Sequence, residues 1–336
     1  MGTSITAESY GGEPTLTLRA GDYEAIVLPG IGGHLVALRD VRRGFAFLRE
    51  PLASGMGVTR YREHPIPYGV PLLFPPNRIA DGTFTMGGET YRFPINEPSL
   101  GNHLHGFFAT SAWEVVSAGT DGVRAETVLR VRLRDGDEVY RIFPHRLTLE
   151  LGYALGEGGL ELTVSARNDS DRPMPFLLGF HTALRIPFSP ESSAEDCALY
   201  VNLGEQWELS ERKLPSGRKL ARDPMADAIA RGEGNPYAHP IDALFSAAPL
   251  GGPNECRVRD RRLGVELVYR TDQKFRTWML WNDDAQSGFL CPEPMTCLVN
   301  APNLDLPWDV SGMLALAPGE SWSATSRFFV EPGGAK

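Results

Sequence analysis

The sequence predicts an all-β protein, a large antiparallel β-sandwich with few short helices. Apolar residues recur along the chain mostly with a period of two, which is typical of a strand with one buried and one wet face. A helical pattern is scarce. The 36 glycines and 27 prolines are spread along the chain and punctuate the alternating segments.

The alternation is clearest in the segments that we predict to be strands. Leu129, Val131 and Leu133 alternate with arginines, and Asp135-Gly136 then offers a turn into a hairpin. A second turn, Gly-Glu-Gly-Gly, separates two further alternating segments. The candidate strands, in chain order, are 15–20, 23–29, 129–133, 147–155, 160–166, 263–270 and 321–330.

One short helix is predicted at 223–231, with Asp223 as its cap and Pro224 in its first turn. The surrounding segment, 187–255, is the loosest part of the chain and is rich in proline, glycine and charge. Its breaks are short, however, and no low-complexity linker divides the sequence. We therefore expect a single domain over 1–336 rather than two.

The charge balance argues against two classes of partner. The 42 acidic and 33 basic side chains give a net charge of −9, which repels nucleic-acid phosphates and anionic lipid alike. The N-terminus shows no basic start followed by an apolar run, and no later segment is apolar for long enough to span a bilayer. We expect a cytoplasmic protein that binds neither nucleic acid nor membrane.

Five places interrupt the apolar alternation with groups that are capable of chemistry. They are Asn77-Arg78, His103 with His105, His181, Asp242 and Glu293. His181 follows the apolar run 176–180, which predicts a buried strand, so burial could move its pKa and let it exchange a proton near neutral pH. A core histidine bonded to a carbonyl is the alternative, and this stretch alone favours it.

Glu293 stands between Pro292 and Pro294, directly after an apolar segment. Because proline cannot donate a ladder hydrogen bond, we expect the strand to end here and to leave the carboxylate at a rim or cleft. A carboxylate held there could act as a general base. A solvated turn glutamate is an equally good interpretation, since loops carry both kinds of group.

Arg78 follows the stiff Pro75-Pro76 pair, and a guanidinium on such a segment could contact vicinal hydroxyls or a carboxylate with two nitrogens. Taken alone, a surface arginine paired with Asp81 is the better interpretation. Asp242 carries a weaker signal, because it is one acid among 42 acidic side chains.

The pair His103 and His105 raises the question of a metal site. An HxH pair on a regular strand projects both rings to the same face, as metal-binding barrels require. No carboxylate follows until Glu114, so the third ligand is not found. The four cysteines contain no CxxC pair and are expected to be reduced thiols. We expect no metal and no cofactor.

The order of these motifs resembles the aldose 1-epimerase (galactose mutarotase) family. The motifs are NRIADGTF at 77–84, LHGF at 104–107, His181 after an apolar strand, Asp-x-x-Phe at 242–245, and Glu293 in Cys-Pro-Glu-Pro. The resemblance covers roughly residues 10–330 and places the core of the domain there. It implies the galactose mutarotase-like sandwich, with an open cleft that takes a free hexose or pentose.

The resemblance also implies an activity and roles for three residues. Family members interconvert the α and β anomers of an aldose by opening its ring, without metal or nicotinamide. Glu293 would be the general base at the anomeric hydroxyl and His181 the general acid at the ring oxygen. His105 would hydrogen-bond that same oxygen.

Four further residues would serve the sugar rather than the proton transfers. The resemblance implies that Arg78 and Asp242 bind sugar hydroxyls. Asn77 is expected beside Arg78, and His103 is expected to share the cleft-facing side of its strand with His105 if that strand is regular.

The sequence departs from the family pattern in two places. Relatives often carry an arginine shortly after the His-Gly pair, where Ala109 and Thr110 stand here, which favours a neutral sugar over a phosphorylated one. Phe107 and Pro294-Met295 also differ from the galactose-specific pattern, so galactose specificity is not implied. The alternatives are a noncatalytic sugar-binding protein on the same sandwich and a metal-dependent β-barrel enzyme that uses His103 and His105.

Overall fold

The computed structural model describes residues 2–250 and 252–333, and within these residues strands account for most of the regular structure. The predicted all-β sandwich with few short helices is confirmed. The α-helices are Val58–Glu63, Pro224–Ala230 and Trp308–Ser311, and the 3₁₀ helices are Val139–Arg141, Ala194–Asp196 and Ala301–Asn303. In the described part of the chain, no helix has the length and apolar character needed to cross a bilayer.

One sheet of eight antiparallel strands, here called the large sheet, contains the five predicted strands between 129 and 330. Its strands in spatial order are Glu114–Thr120, Ala125–Leu133, Leu147–Gly156, Gly159–Asn168, Ser321–Pro332, Val265–Thr271, Asn254–Asp260 and Cys197–Val201. The turn at Gly156–Gly159 sets Leu155 opposite Leu160, so both apolar faces point the same way.

A second sheet of eight strands, here called the site sheet, carries the residues of most interest. Its strands in spatial order are Pro215–Leu220, Leu203–Leu209, Ile241–Ala247, Thr277–Asn282, Phe289–Met295, Gly179–Phe180 and Leu72–Leu73, with Leu184–Arg185 also paired to Phe289–Met295.

The N-terminal part of the chain forms a five-stranded sheet, which includes the predicted strands at 15–20 and 23–29. Its strands are Ser4–Tyr10, Glu13–Ala20, Tyr23–Leu28, His34–Asp40 and Phe45–Ala46. Three two-stranded ribbons complete the structure: Arg78–Ala80 with Asn102–Leu104, Thr83–Met86 with Glu89–Arg92, and Met174–Phe176 with Leu314–Leu316.

The core lies between the sheets. Tyr269 of the large sheet packs edge-on against Trp278 of the site sheet with ring centroids 6.2 Å apart, and its hydroxyl accepts a hydrogen bond from Thr182 at 3.1 Å. Tyr153 links the large sheet to the N-terminal sheet, because its hydroxyl donates to the carbonyl of Gly33 at 2.7 Å. The buried tyrosine hydroxyls thus find partners inside the core.

The predicted helix is present at Pro224–Ala230. Oδ1 of Asp223 accepts a hydrogen bond from the backbone N–H of Ala226 at 2.8 Å, and Pro224 occupies the first helical position. The capping carboxylate satisfies one of the backbone donors that a helix start leaves unpaired. Both features agree with the sequence prediction.

The prediction that a strand ends at Glu293 is wrong. The strand Phe289–Met295 runs through Pro292 and Pro294 and pairs on one side with Thr277–Asn282. On its other side, the described strands pair only with Phe289, Leu290 and Met295. The prolines therefore lie in a stretch with no ladder partner on that side, where a lost N–H costs nothing.

A close backbone crossing fixes the start of the segment that follows His105. The N–H of Phe107 donates to the carbonyl of Phe74 at 3.1 Å. Gly106, the residue before Phe107, has φ of 72°, and a Cβ at this position would stand 2.1 Å from the Phe74 oxygen. Only glycine fits, because the backbone needs both the left-handed conformation and the space.

We expect Gly106→Ala to lower the free energy of unfolding by about 2–4 kcal/mol, since the methyl group adds a collision to the left-handed strain. Gly319→Ala is the matched control, because Gly319 has φ of 73° and a Cβ there would meet no described atom within 4 Å. The control should lose only about 1 kcal/mol. If guanidinium titrations showed the same loss of unfolding free energy in both variants, a steric collision at position 106 would be contradicted.

Candidate active site

Six of the seven predicted site residues line one cavity of about 280 Å³. They come from separate parts of the chain, which the fold brings together over one face of the site sheet. The described residues that line the cavity are Ile66, Pro67, Asn77, Arg78, Leu104, His105, His181, Asp242, Met279, Trp281 and Glu293.

The two carboxylates are presented by the same face of the site sheet. Met279 lies opposite Glu293, and Trp281 lies opposite Asp242, so the strand Thr277–Asn282 runs between the two acids. Side chains two residues apart on a strand share a face. Met279 and Trp281 therefore form the floor that separates Asp242 from Glu293.

Glu293 and His181 are the most deeply buried polar pair in the cavity. Their side chains are 2% and 5% exposed, and Nε2 of His181 lies 3.2 Å from Oε1 of Glu293. The His181 backbone N–H donates to the carbonyl of Pro71 at 3.0 Å, just beyond the short strand Gly179–Phe180. The pair is close enough to share a proton.

His105 reaches the same place from the ribbon of Arg78–Ala80 and Asn102–Leu104. The ribbon ends at the Leu104–Arg78 pair, and the next residues, His105 and Asn77, both adopt left-handed backbone with φ of 65° and 53°. The N–H of His105 donates to the carbonyl of Asn77 at 2.9 Å. The His105 ring then packs edge-on against His181, with centroids 5.2 Å apart.

The structure places His103 away from the cavity. Its Nδ1 lies 2.8 Å from the carbonyl oxygen of Pro94, and its ring packs between Phe93 and Phe107 with both centroids 5.1 Å away. The expectation of a shared face with His105 is wrong, because the strand ends at Leu104 and His105 turns into the left-handed conformation. His103 is part of the aromatic core.

Arg78 is held by a carboxylate that the sequence analysis did not identify. Its Nε and Nη2 donate to Glu97 at 2.9 Å each, and Glu97 also accepts from Asn102 at 2.9 Å. The alternative pairing with Asp81 is not formed, since Asp81 binds Arg212 at 2.9 Å. Glu97 is an ordinary loop residue in sequence, and no pattern distinguished it.

Asp242 is held in a similar way by Lys213, whose Nζ lies 3.0 Å from Oδ2.

Trp281 is a lining residue that was not predicted from the sequence. Trp281 packs edge-on against His181 with centroids 5.6 Å apart. The alternation of its strand could have signalled this position, because Trp281 lies two residues from Met279 on the face that carries the acids.

Several residues that line the cavity carry a buried polar atom with no hydrogen-bond partner among the described residues. These atoms are Nδ1 of His105, Nδ1 of His181, Oδ1 of Asp242 and Oε2 of Glu293. An unpaired buried polar atom is costly and rare in a folded protein. Four of them on the residues that line one cavity therefore favour a polar ligand at this place.

Burial controls the proton affinities in this cavity. Burial raises the pKa of Glu293 well above its usual value, and the nearby Asp242 carboxylate raises it further. Burial lowers the pKa of His181 to about 3. Burial, and next the neighbouring His181, lower the pKa of His105 well below its usual value. Burial therefore favours the uncharged forms of both groups, a protonated Glu293 carboxyl and a neutral His181 imidazole.

A larger depression of about 680 Å³ lies on the outer face of the large sheet. Its polar side chains, such as Arg130 and Glu150, are paired with each other at 2.6 Å. None of the unpaired buried atoms found in the described residues lies there. The smaller cavity is the better candidate, because reactive groups rather than volume mark a site.

No group of three histidine, cysteine, aspartate or glutamate side chains with metal-binding geometry occurs among residues 2–250 and 252–333. His103 and His105 do not converge. The described lining residues can supply two carboxyl groups, two imidazoles and an arginine to a neutral organic ligand.

The sequence model of the aldose 1-epimerase family matches residues 14–328. The chain belongs to the aldose 1-epimerase family. Of the curated relatives, galactose mutarotase of Sus scrofa is 30% identical over 183 residues, which are 53% of this chain and 46% of the relative. The uncharacterized protein YihR of Escherichia coli is 26% identical over 172 residues, 51% of this chain and 50% of that protein. The chain thus aligns with about half the length of these relatives.

Solved structures of this family share the whole fold. A galactose mutarotase-like protein from Clostridium acetobutylicum superposes with a TM-score of 0.94 at 32% identity, covering 98% of this chain and 99% of that one. Galactose 1-epimerase from Lactobacillus acidophilus superposes with a TM-score of 0.72 at 17% identity, covering 99% of each chain. The second likeness concerns the fold alone.

The surroundings of the two histidines predict opposite effects on stability and binding. His103→Ala should lower the free energy of unfolding by about 3 kcal/mol, because an aromatic-sized core side chain is removed, and should leave ligand binding in the cavity unchanged. His105→Ala should weaken ligand binding in the cavity and cost less stability. Denaturant titration and calorimetry check both variants; weaker ligand binding by a stable His103→Ala would return His103 to the binding site.

Proposed function

We propose that this protein is an aldose 1-epimerase that interconverts the α and β anomers of a free, neutral hexose or pentose. The observation that carries the proposal is the buried Glu293–His181 pair, 3.2 Å apart, in a cavity with four unpaired polar atoms. Membership of the aldose 1-epimerase family supports the reaction type.

The reaction requires two proton transfers on opposite sides of one C–O bond. Opening the hemiacetal removes the proton from O1 and adds a proton to the ring oxygen. Glu293 is the proposed base at O1 and His181 the proposed acid at the ring oxygen. After rotation about C1–C2, His181 takes the proton back from the ring hydroxyl and Glu293 returns one to the carbonyl oxygen, which gives the other anomer.

The proton count of the pair suits this cycle. In the reactive form Glu293 is ionised and His181 is protonated, and after ring opening Glu293 is protonated and His181 is neutral. Both forms hold one proton between the two residues. The raised pKa of Glu293 and the lowered pKa of His181 both favour the form in which Glu293 carries this proton.

The remaining cavity residues suit a neutral sugar. His105 would donate to the ring oxygen beside His181, while Arg78, Asn77 and Asp242 would bind hydroxyl groups. Arg78 is the single cation among the described lining residues, and Glu97 already neutralises it. A phosphorylated sugar would therefore meet no free positive charge in the lining.

Loss of either proton-transfer group should abolish most of the activity. We expect Glu293→Gln and His181→Asn each to lower kcat by about 10²–10⁴, the usual contribution of a positioned acid or base. Polarimetry on freshly dissolved α-glucose, α-galactose and pentoses measures the rate.

Glu266→Gln is the matched control, because Glu266 is an equally buried glutamate that pairs with Arg257 and Arg259 on the large sheet. It should leave kcat unchanged. A wild-type protein that binds sugars in calorimetry without accelerating anomer exchange would support the noncatalytic alternative instead.

The pH dependence follows from the shifted pKa values. If the pair takes up a second proton, on His181 while Glu293 is also protonated, the cycle should stop. Burial lowers the pKa of His181 from 6.5 to about 3. As the pH falls through 6.5, kcat/KM should therefore stay level and should decline only at lower pH. At the other end, kcat/KM should decline when the single proton leaves the pair. An acid limb centred near pH 6.5 in still-folded protein would refute the buried one-proton pair.

A further inference from the structure

Lys213 lies at the tip of the hairpin that joins the strands Leu203–Leu209 and Pro215–Leu220. Its backbone is left-handed, with φ of 59°, and its N–H donates to the carbonyl of Ser210 at 2.9 Å. The side chain reaches the neighbouring strand Ile241–Ala247, where Nζ lies 3.0 Å from Oδ2 of Asp242.

The hairpin tip is attached by hydrogen bonds to the segment that contains Leu100, Gly101 and Asn102. Arg212 donates to the carbonyls of Leu100 and Gly101 at 2.8 Å each, and Asn102 donates to the carbonyl of Arg212 at 3.1 Å. Leu209 and Leu214, on either side of the tip, pack into the apolar cluster that includes Met279. The position of Lys213 is therefore set by the fold and not by its own ion pair.

Because of this contact, the two carboxylate oxygens of Asp242 have different surroundings. Oδ2 binds Lys213, while Oδ1 is buried without a partner in the described part of the chain, and Asp242 lines the cavity. Arg78 is bound in a similar way, because its Nε and Nη2 donate to Glu97 on the side away from the cavity. Each of the two charged residues in the proposed sugar-binding set is paired with an oppositely charged residue.

Asp242 stands on the second strand away from Glu293, with Thr277–Asn282 between them. Two strand spacings separate the backbones by about 10 Å. A sugar whose O1 meets Glu293 therefore presents a hydroxyl from the far side of its ring to Oδ1 of Asp242. A carboxylate oxygen accepts such a hydrogen bond best when its orientation is fixed in advance.

We propose that Lys213 is a positioning residue that holds Asp242 to bind one hydroxyl of the sugar, on the side of the ring remote from the anomeric carbon. This role rests on the proposed sugar site and deepens it. It goes beyond the family resemblance, which concerns Asp242 but not the residue behind it. The ion pair itself contributes little to stability, because Lys213 is 40% exposed.

The test is Lys213→Met, which keeps the length of the side chain and removes its charge. We expect the KM and the calorimetric Kd for a free aldose to rise about tenfold, the effect of losing a charge-assisted hydrogen bond, while kcat changes less than about twofold. Lys213→Arg should restore most of the affinity. A general loosening of the fold would lower kcat and the melting temperature as well.

Lys219→Met is the matched control. Lys219 belongs to the same hairpin, is 44% exposed, and pairs with Glu205 at 2.5 Å away from the cavity lining. This variant should keep wild-type KM and Kd. A tenfold loss in Lys219→Met as well would mean that the hairpin, and not Lys213, affects the site, and would overturn the proposal.

A double-mutant cycle separates action through Asp242 from independent action. In an Asp242→Asn background, Lys213→Met should produce no further loss of affinity. Among monodeoxy sugars, the analogue that lacks the recognised hydroxyl should bind wild type and Lys213→Met equally well. Additive losses in the cycle, or an unchanged Kd in the single variant, would overturn the role of Lys213.

Calorimetry also keeps this inference separate from the catalytic proposal. If the wild type binds an aldose without catalysing anomer exchange, the epimerase proposal fails, and the Kd of Lys213→Met still tests the positioning role. If the wild type is active and Lys213→Met is indistinguishable from it, only the positioning role fails. If no free aldose binds the wild type, both fail.

Discussion

The site depends on the burial of the Glu293 carboxyl group beside His181. Removed from water, a carboxylate and an imidazolium both become harder to form, and the two groups come to share one proton. This requires Glu293 to lie inside a strand, where its side chain is only 2% exposed. The flanking prolines are compatible with that strand because the ladder has a gap on their side. The pairing of the strand Phe289–Met295 thus controls the burial, and with it the pKa, of Glu293.

The sandwich supplies the rest of the cavity from rigid elements. The site sheet presents Asp242, Trp281 and Glu293 on one face, and a separate two-stranded ribbon brings Asn77 and His105 over them. Each reactive side chain lies on a strand or within one or two residues of its end. Groups that must keep sub-ångström geometry gain from such placement, since loops alone would leave them mobile.

The charged residues of the site have ion-pair partners outside the cavity, whereas some of their polar atoms have no hydrogen-bond partner among the described residues. Glu97 binds Arg78 and Lys213 binds Asp242 from outside, while Oδ1 of Asp242 and Oε2 of Glu293 remain unpaired inside. The outer partners compensate charge without occupying the space a ligand needs. An incoming sugar would then supply the hydrogen bonds that the folded chain lacks, which makes burial of these atoms tolerable.

The fold class, the strands named from alternation, the capped helix at Asp223 and the family could be predicted from the sequence, because period-two patterns, turn residues and ordered motifs are local signals. The folded chain was needed to show that His103 belongs to the aromatic core while His105 enters the cavity, and that the Glu293 strand continues. It also decided that Glu97 and Lys213 stand behind Arg78 and Asp242. Those facts depend on which strands are neighbours and where a ladder stops, and pairing between segments distant in sequence leaves no local pattern.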